Sequence, residues 1–580
     1  MKKYLLLSLL VIVSCRDPEN SNNNNNTSTT NNTNITNNTT TNNNTNVQPV
    51  CGNGIIETDE SCDSTNLDGK TCININQGYT GGVLSCADDC SGYNVELCTT
   101  QSGTSVKTPE ATVVSEGTGG YLLKGTVLTP EGIIQQGEVL VINDVIACAA
   151  EDCSGVTGAD SVTIINTNGI ISPGLVDAHN HLSYNFLPEW IPDPPQLFKN
   201  RYEWAENPQY EEHILPYTKH RSSNDHFCPA SIWGELRSLI HGTTTMQGQP
   251  SAAGSCINGG VRNANRYHDL GYDHMGGTIG SVRDITDSDA SSLVENFTDD
   301  PPITRYHVHM AEGYEDNYIT DEFDSYAGLD PRDNRHQGVN LLSWGTTILI
   351  HSIPLFDRQI QDCVDMNAKI VWSPSSNLVL YGVTAPIQKF INAGLVVGIG
   401  PDWTVSGEDD MLAEMKYAYS YGVENEITEL TPEKIWRMST SDGAFVVGLH
   451  ESIGSIEVGM KADITVFGRS GDDPYLAVID SDSSDVRLVL INGVGMYGDA
   501  NLKTVTSRDA DCENLNFCNT EKYICVNGTF SGDYTEFDYT AFHQALYDIL
   551  ENYELYDESK PAYEGGRGDE LLPLDSRCNE

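Results

Sequence analysis

Four residues of this 580-residue chain, His179, His181, His309 and Asp402, have the types and positions to hold one metal ion. His179 and His181 stand two apart in the run Gly174-Leu-Val-Asp-Ala-His-Asn-His181. If that run is a strand, its period of two puts both imidazoles on one face. A lone pair of this kind marks nothing more often than not. Here His309 and Asp402 each close a further apolar run, and the four together carry more weight. Three imidazoles and a carboxylate suit Zn²⁺ or Fe²⁺ with a position left for water. Such an ion lowers the pKa of that water toward ~7, which points to hydrolysis.

The elements that must position these residues repeat one habit: a short apolar run ends in polar or ionisable groups. It recurs in Gly242-Thr-Thr-Thr-Met-Gln247, Tyr306-His-Val-His-Met-Ala-Glu312, Thr347-Ile-Leu-Ile-His351, Ile370-Val-Trp-Ser-Pro-Ser-Ser-Asn377 and Leu395-Val-Val-Gly-Ile-Gly-Pro-Asp402. Helical patterns over 230–241, 357–367 and 384–394 lie between several of them. Strand, helix, strand in alternation predicts parallel βα units. In a (β/α)8 barrel the active residues sit at the C-terminal ends of strands, where these runs carry theirs. Shorter β-like runs at 120–125, 138–142 and 162–165 precede that region.

Several runs resemble those of a known family, the amidohydrolase superfamily. Pro173-Gly174-Leu175-Val176-Asp177-Ala178-His179-Asn180-His181 resembles its first strand. His309-Met310-Ala311-Glu312 resembles the fifth-strand HxxE of its deaminase and chlorohydrolase branch. His351 resembles its sixth-strand histidine, Ser373-Pro374-Ser375-Ser376-Asn377 its seventh-strand motif, and Gly400-Pro401-Asp402 its last-strand motif. Residues 453–467 resemble the return into a small β-sandwich. The resemblance covers 106–500. It implies an α/β fold: a (β/α)8 TIM-like barrel over 173–447, with a β-sandwich built from 106–172 and 448–500.

The same resemblance implies roles. His179, His181, His309 and Asp402 would be metal ligands. Asp402 would also take a proton from the water, Glu312 would move protons to the leaving nitrogen, and His351 would polarise or steady the group under attack. Binuclear members bridge two ions with a fourth-strand lysine, and this chain has no lysine between Lys219 and Lys369. One divalent ion is therefore expected, zinc ahead of iron. His307 is expected deeper in the barrel.

The loop after the first strand, with Trp190 and Trp204, carries aromatics suited to a flat substrate. Trp190, Trp204, Asn377 and Trp403 are the expected substrate contacts. The loop lacks the leucine-arginine-glycine pattern of nucleoside-type deaminases. The expectation is hydrolysis of a non-peptide C–N bond in a small cyclic or heteroaromatic molecule. The alternatives are a catalytically retired barrel serving as a surface binding module, and a binuclear amidase or dipeptidase.

A formal net charge of −50 argues against nucleic-acid binding. Sixteen cysteines fit an exported protein. Residues 1–15 read as a signal peptide ending in a run that resembles a bacterial lipobox, with Cys15 as the lipidated residue. By resemblance to lipoprotein sorting in double-membrane bacteria, Arg16 after it implies the outer membrane or cell surface. Residues 16–48 read as a disordered Asn/Thr-rich linker. Residues 49–100, with six cysteines, resemble a cysteine-rich repeat of bacterial surface proteins; a zinc site is the lesser reading. Cys148 and Cys153 are expected to pair, while Cys228, Cys256 and Cys363 are expected to be buried. Residues 501–580 form a C-terminal extension whose four cysteines suggest two disulfides, with an amphipathic helix over 539–553. The oligomeric state is left open, a homodimer included.

Overall fold

The computed structural model describes residues 105–575 except 216, 218–223, 249–255, 258–259, 266–269, 271–274, 277–281, 284, 299–301, 315–316, 330–338, 507–511, 531–534 and 553–565; it also describes 61–62, 70, 81–87 and 90–99. The signal peptide, Cys15, the linker, most of the cysteine-rich module and Cys578 lie outside the described residues.

The apolar runs form parallel strands in two arcs. The first arc holds β1 (Leu175–Asp177), β2 (Thr243–Met246) and β3 (Arg262–Asn263). The second holds β4 (Met275–Gly276), β5 (Arg305–Met310), β6 (Thr347–His351), β7 (Lys369–Trp372) and β8 (Val397–Ile399). All pairings within the arcs are parallel. Strands such as β6 are buried along their whole length, as expected where helices cover the outer face. The arcs meet where Ala178 N donates to Ile399 O at 3.1 Å and Asn180 bridges Asp402.

Helices Asn224–Ile240, Asp287–Thr298, Asp357–Asp365 and Met411–Glu424 are among those that follow the strands. The pattern read over 384–394 becomes the shorter helix Ile387–Asn392, which starts after Pro386. The run read as one piece over 370–377 divides at Ser373. Pro374 occupies the first turn of helix Pro374–Tyr381, where its missing N–H costs nothing, and left-handed Gly382 ends it.

Outside the barrel, strands Thr112–Ser115, Gly120–Thr129, Gly132–Ile142, Val145–Ala150 and Thr163–Pro173 join Ile464–Phe467, Val486–Ile491 and Val494–Asp499. The hydrogen bonds make these eight part of one ten-stranded sheet. The central seam pairs Ile464 with Pro173 and Phe467 with Ile170. The boundary expected at 500 is corrected: strands Glu513–Phe517 and Thr520–Ile524 extend the same sheet. Other described residues of the extension pack on the barrel. Helix Tyr539–Glu551 stacks Tyr539 and Phe542 on Trp233, and Leu572 N donates to Phe186 O at 3.0 Å.

Cys148–Cys153 form the expected disulfide, and Cys512–Cys525 pair within the extension. Cys228 and Cys256, expected only to be buried, are joined as well, while Cys363 is a buried free thiol. Among the described residues no helix is long and apolar enough to cross a membrane.

Contact between β8 and β1 depends on Gly400. A Cβ there would lie 2.5 Å from His179 O, 2.6 Å from His179 N and 2.9 Å from Asp177 Oδ1. Gly400→Ala is expected to destabilise the chain by about 2 kcal/mol through overpacking and to weaken metal retention. Thermal unfolding and metal analysis check both.

Candidate active site

The four expected ligands converge. Their donor atoms, one each from His179, His181, His309 and Asp402, all lie within 4.8 Å of one another. His179 Nε2 and His181 Nε2 are each 3.2 Å from Asp402 Oδ1. The backbone turns sharply to deliver Asp402, which adopts φ 73° just beyond β8; His351, at the end of β6, adopts φ 66°. Such left-handed conformations are costly for residues with a Cβ and are tolerated where the surroundings impose them. The turn after β1 is shaped by the Asp177 carboxylate, which accepts from His179 N at 3.1 Å and Asn180 Nδ2 at 2.7 Å. Burial pushes the Asp177 carboxyl up to about 7.

Hydrogen bonds aim each donor. His179 Nδ1 lies 3.0 Å from Gln247 Oε1, just after β2. An amide oxygen only accepts, so Nδ1 carries the proton and Nε2 keeps its lone pair. Asp402 Oδ2 accepts from Ser376 Oγ at 2.7 Å, leaving Oδ1 for the cluster. Burial, with His179 and His181 alongside, holds His309 well below the ordinary histidine range, in the neutral form a ligand needs. Burial would raise the Asp402 carboxyl, but His179 and His181 outweigh it and hold it well below the usual range. Among the described residues, His179 Nε2 and Asp402 Oδ1 are buried and find no hydrogen-bond partner. Such orphaned atoms are expected where an ion completes a site, and this donor set fits a divalent metal.

His307, two residues before His309, is fully buried and outside this cluster, and burial pushes its imidazole down to about 3. Lys369, the first lysine after the lysine-free interval, begins β7. Its ammonium donates to Gly345 O at 2.6 Å and Asn367 O at 2.8 Å, so it is engaged at the strand's N-terminal end.

Glu312 and His351 stand beside the ligands, with Glu312 Oε2 3.7 Å from His351 Nε2. Asn377, expected to touch substrate, does something else. Its Oδ1 accepts from His351 Nδ1 at 2.9 Å and its Nδ2 donates to Thr384 Oγ1 at 3.0 Å. It is fully buried and sets the ring of His351. The first turn of helix Pro374–Tyr381 therefore divides its labour: Ser375 bonds Glu414, Ser376 bonds Asp402, and Asn377 bonds His351.

The aromatic loop reaches the metal cluster through Trp403. That ring lies 5.7 Å from His181, 5.0 Å from Tyr184 and 5.4 Å from Trp204. Trp190, also expected as a contact, sits behind this layer. It is buried against Phe198 at 5.9 Å and Tyr210 at 5.6 Å, and it supports the wall.

Other residues of the site had no role assigned from sequence. Arg201 Nη2 donates to Glu322 Oε1 at 2.7 Å, Arg201 Nη1 donates to His309 O at 3.1 Å, and Nη1 lies 3.9 Å from Glu312 Oε2. Burial opposes its charge, but Glu322, Tyr202 and Glu312 outweigh that and raise its pKa. Glu322 Oε2 also accepts from Ala311 N at 2.8 Å, which anchors the turn after β5. Tyr381 donates to Glu312 Oε1 at 2.6 Å. No strand-end spacing marks these residues; only Gln247 showed a signal, as the polar end of an apolar run. Replacing it tests the aiming of His179: Gln247→Leu is expected to weaken zinc binding about 10- to 100-fold, read by competition with a chromogenic chelator.

Comparison with known proteins agrees with this geometry. The family described as "Amidohydrolase family" matches residues 303–495, the part carrying His309, Glu312, His351 and Asp402. The 5-methylthioadenosine/S-adenosylhomocysteine deaminase of Desulfitobacterium hafniense is 25% identical over 419 residues, covering 65% of this chain and 92% of that protein. The enzyme of the same name from Haloarcula marismortui is 24% identical over 384 residues, covering 61% and 84%. Among solved structures, an adenosine deaminase from Xanthomonas campestris with bound zinc superposes with a TM-score of 0.51 at 18% identity, covering 66% of this chain and 93% of that one; this likeness concerns the fold. The family match and the deaminase relatives support a place in the amidohydrolase superfamily and make this chain an amidohydrolase-type enzyme.

Proposed function

We propose that this enzyme removes an exocyclic amino group from a small heteroaromatic ring, releasing ammonia, with one zinc ion held by His179, His181, His309 and Asp402. The observation that carries the reading is the convergence of these four donors beside Glu312 and His351. Zinc bound there supplies Lewis acidity and lowers the pKa of a water toward ~7. Asp402 accepts a proton at its carboxylate, and Glu312 carries one to the leaving amine. His351, with Nδ1 donating to Asn377, has Nε2 free to accept a hydrogen bond and steady the reacting group. The face of Trp403, flanked by Tyr184 and Trp204, suits a flat ring.

An adenine-type ring is the first choice of substrate, since the relatives named above are deaminases of adenosine compounds. The missing leucine-arginine-glycine pattern argues for a different grip on whatever the ring carries. We further propose that the chain is exported and tethered by a lipid on Cys15 to the outer membrane or cell surface, with the Asn/Thr tract as a stalk. The composition of residues 1–48 supports this.

Metal analysis is expected to return about one zinc per chain. His179→Ala and Asp402→Asn should each lose it. Zinc-loaded protein should release ammonia from a panel of adenosine, 5-methylthioadenosine and S-adenosylhomocysteine. Glu312→Gln should lower that rate by about 10²- to 10⁴-fold. A folded, zinc-loaded chain that releases ammonia from none of them would refute deamination of adenine compounds. Separately, Cys15→Ser should move the protein from the membrane fraction to the soluble one; unchanged fractionation would refute the anchor.

A further inference from the structure

We infer that Trp204 and Tyr381 are positioning residues that decide which oxygen of Glu312 carries a proton, an inference that rests on reading Glu312 as the proton carrier. The Trp204 indole Nε1 donates to the Tyr381 phenol oxygen at 2.7 Å, and the phenol donates to Glu312 Oε1 at 2.6 Å. The direction of this chain is forced. An indole N–H can only donate. The phenol oxygen therefore accepts from Trp204, and its single proton points at Glu312.

Burial and the adjoining Glu312 raise the phenol well above the ordinary tyrosine range, so that proton stays on Tyr381. Oε1 is thus an occupied acceptor. Oε2 lies 3.7 Å from His351 Nε2 and 3.9 Å from Arg201 Nη1. A proton taken up by Glu312 binds Oε2, turning the carboxylate into a neutral acid, and leaves again from Oε2 to the departing amine. The Tyr381 proton does not move.

The partners come from separate parts of the fold. Trp204 belongs to helix Arg201–Ala205 in the loop after β1, Tyr381 ends the helix after β7, and Glu312 follows β5. Docking of the aromatic loop and the pose of Glu312 are therefore coupled through two hydrogen bonds.

The first arm of the test needs no substrate. In zinc-loaded full-length chain labelled with ¹⁵N at tryptophan, the Trp204 indole proton is identified by its loss in Trp204→Phe. It is expected to move upfield in both Tyr381→Phe and Glu312→Gln. The Trp233 indole, which donates to Leu572 O, should stay in place. A Trp204 resonance unmoved in either variant overturns the inference.

The second arm uses whichever substrate of the panel releases ammonia. Tyr381→Phe is expected to lower kcat about ten-fold while KM stays within about two-fold, with zinc content and Tm retained. A raised KM with unchanged kcat also overturns it. A chain that shows the resonance shifts and hydrolyses nothing supports the hydrogen-bond chain and counts against the deaminase reading instead.

Discussion

The backbone of Asp402 is tied to the turn after β1 by two hydrogen bonds, Asp402 N to His179 O at 3.2 Å and His181 N to Asp402 O at 2.6 Å. The metal cluster depends on this seam. It brings a carboxylate from the last barrel strand against imidazoles from the first, and it does so with main-chain groups that tolerate little movement. Gly400 makes the approach possible because no Cβ fits between the two segments. Once the seam is closed, the remaining task is aiming, and neighbouring polar side chains do that: Gln247 for His179, Ser376 for Asp402, Asn377 for His351. A ligand held by a second hydrogen bond loses less freedom when it binds, which is why such partners matter nearly as much as the ligands.

Charge in the site is managed by enclosure. Glu312 and Glu322 are buried, and one guanidinium, that of Arg201, lies between them. An unpaired carboxylate at such depth would be costly. Arg201 reaches both from the loop after β1, while its backbone N donates to Glu312 O at 3.1 Å. The aromatic loop thus has a second task. It completes the wall with Trp204 and delivers the cation that offsets the buried acids.

That loop is itself held from outside the barrel. Leu572 N bonds Phe186 O, and the Arg567 guanidinium sits 5.3 Å from the centre of the Tyr217 ring and donates to His213 O at 2.5 Å. The C-terminal extension is therefore part of the frame around the aromatic wall. Its strands also lengthen the sheet that begins with Thr112–Ser115, so segments from both ends of the chain brace the same barrel.

The strand-end donor residues and the barrel strands were legible in the sequence because each is local in origin. An apolar run ending in a histidine or an aspartate is visible wherever it occurs, and a period of two places His179 and His181 together without knowledge of anything else. The expectation of a single ion came from the family resemblance, set beside the lysine-free interval between Lys219 and Lys369. What the fold alone decided were pairings between residues far apart in the chain: Tyr381 with Glu312, Arg201 with Glu322, Asn377 with His351 rather than with substrate, and Trp190 behind the wall rather than on it. The disulfide between Cys228 and Cys256 and the continuation of the sheet past residue 500 belong to the same class. A side chain's partner across a barrel depends on strand order, stagger and turn geometry, and none of these is written in the spacing of residues along one strand.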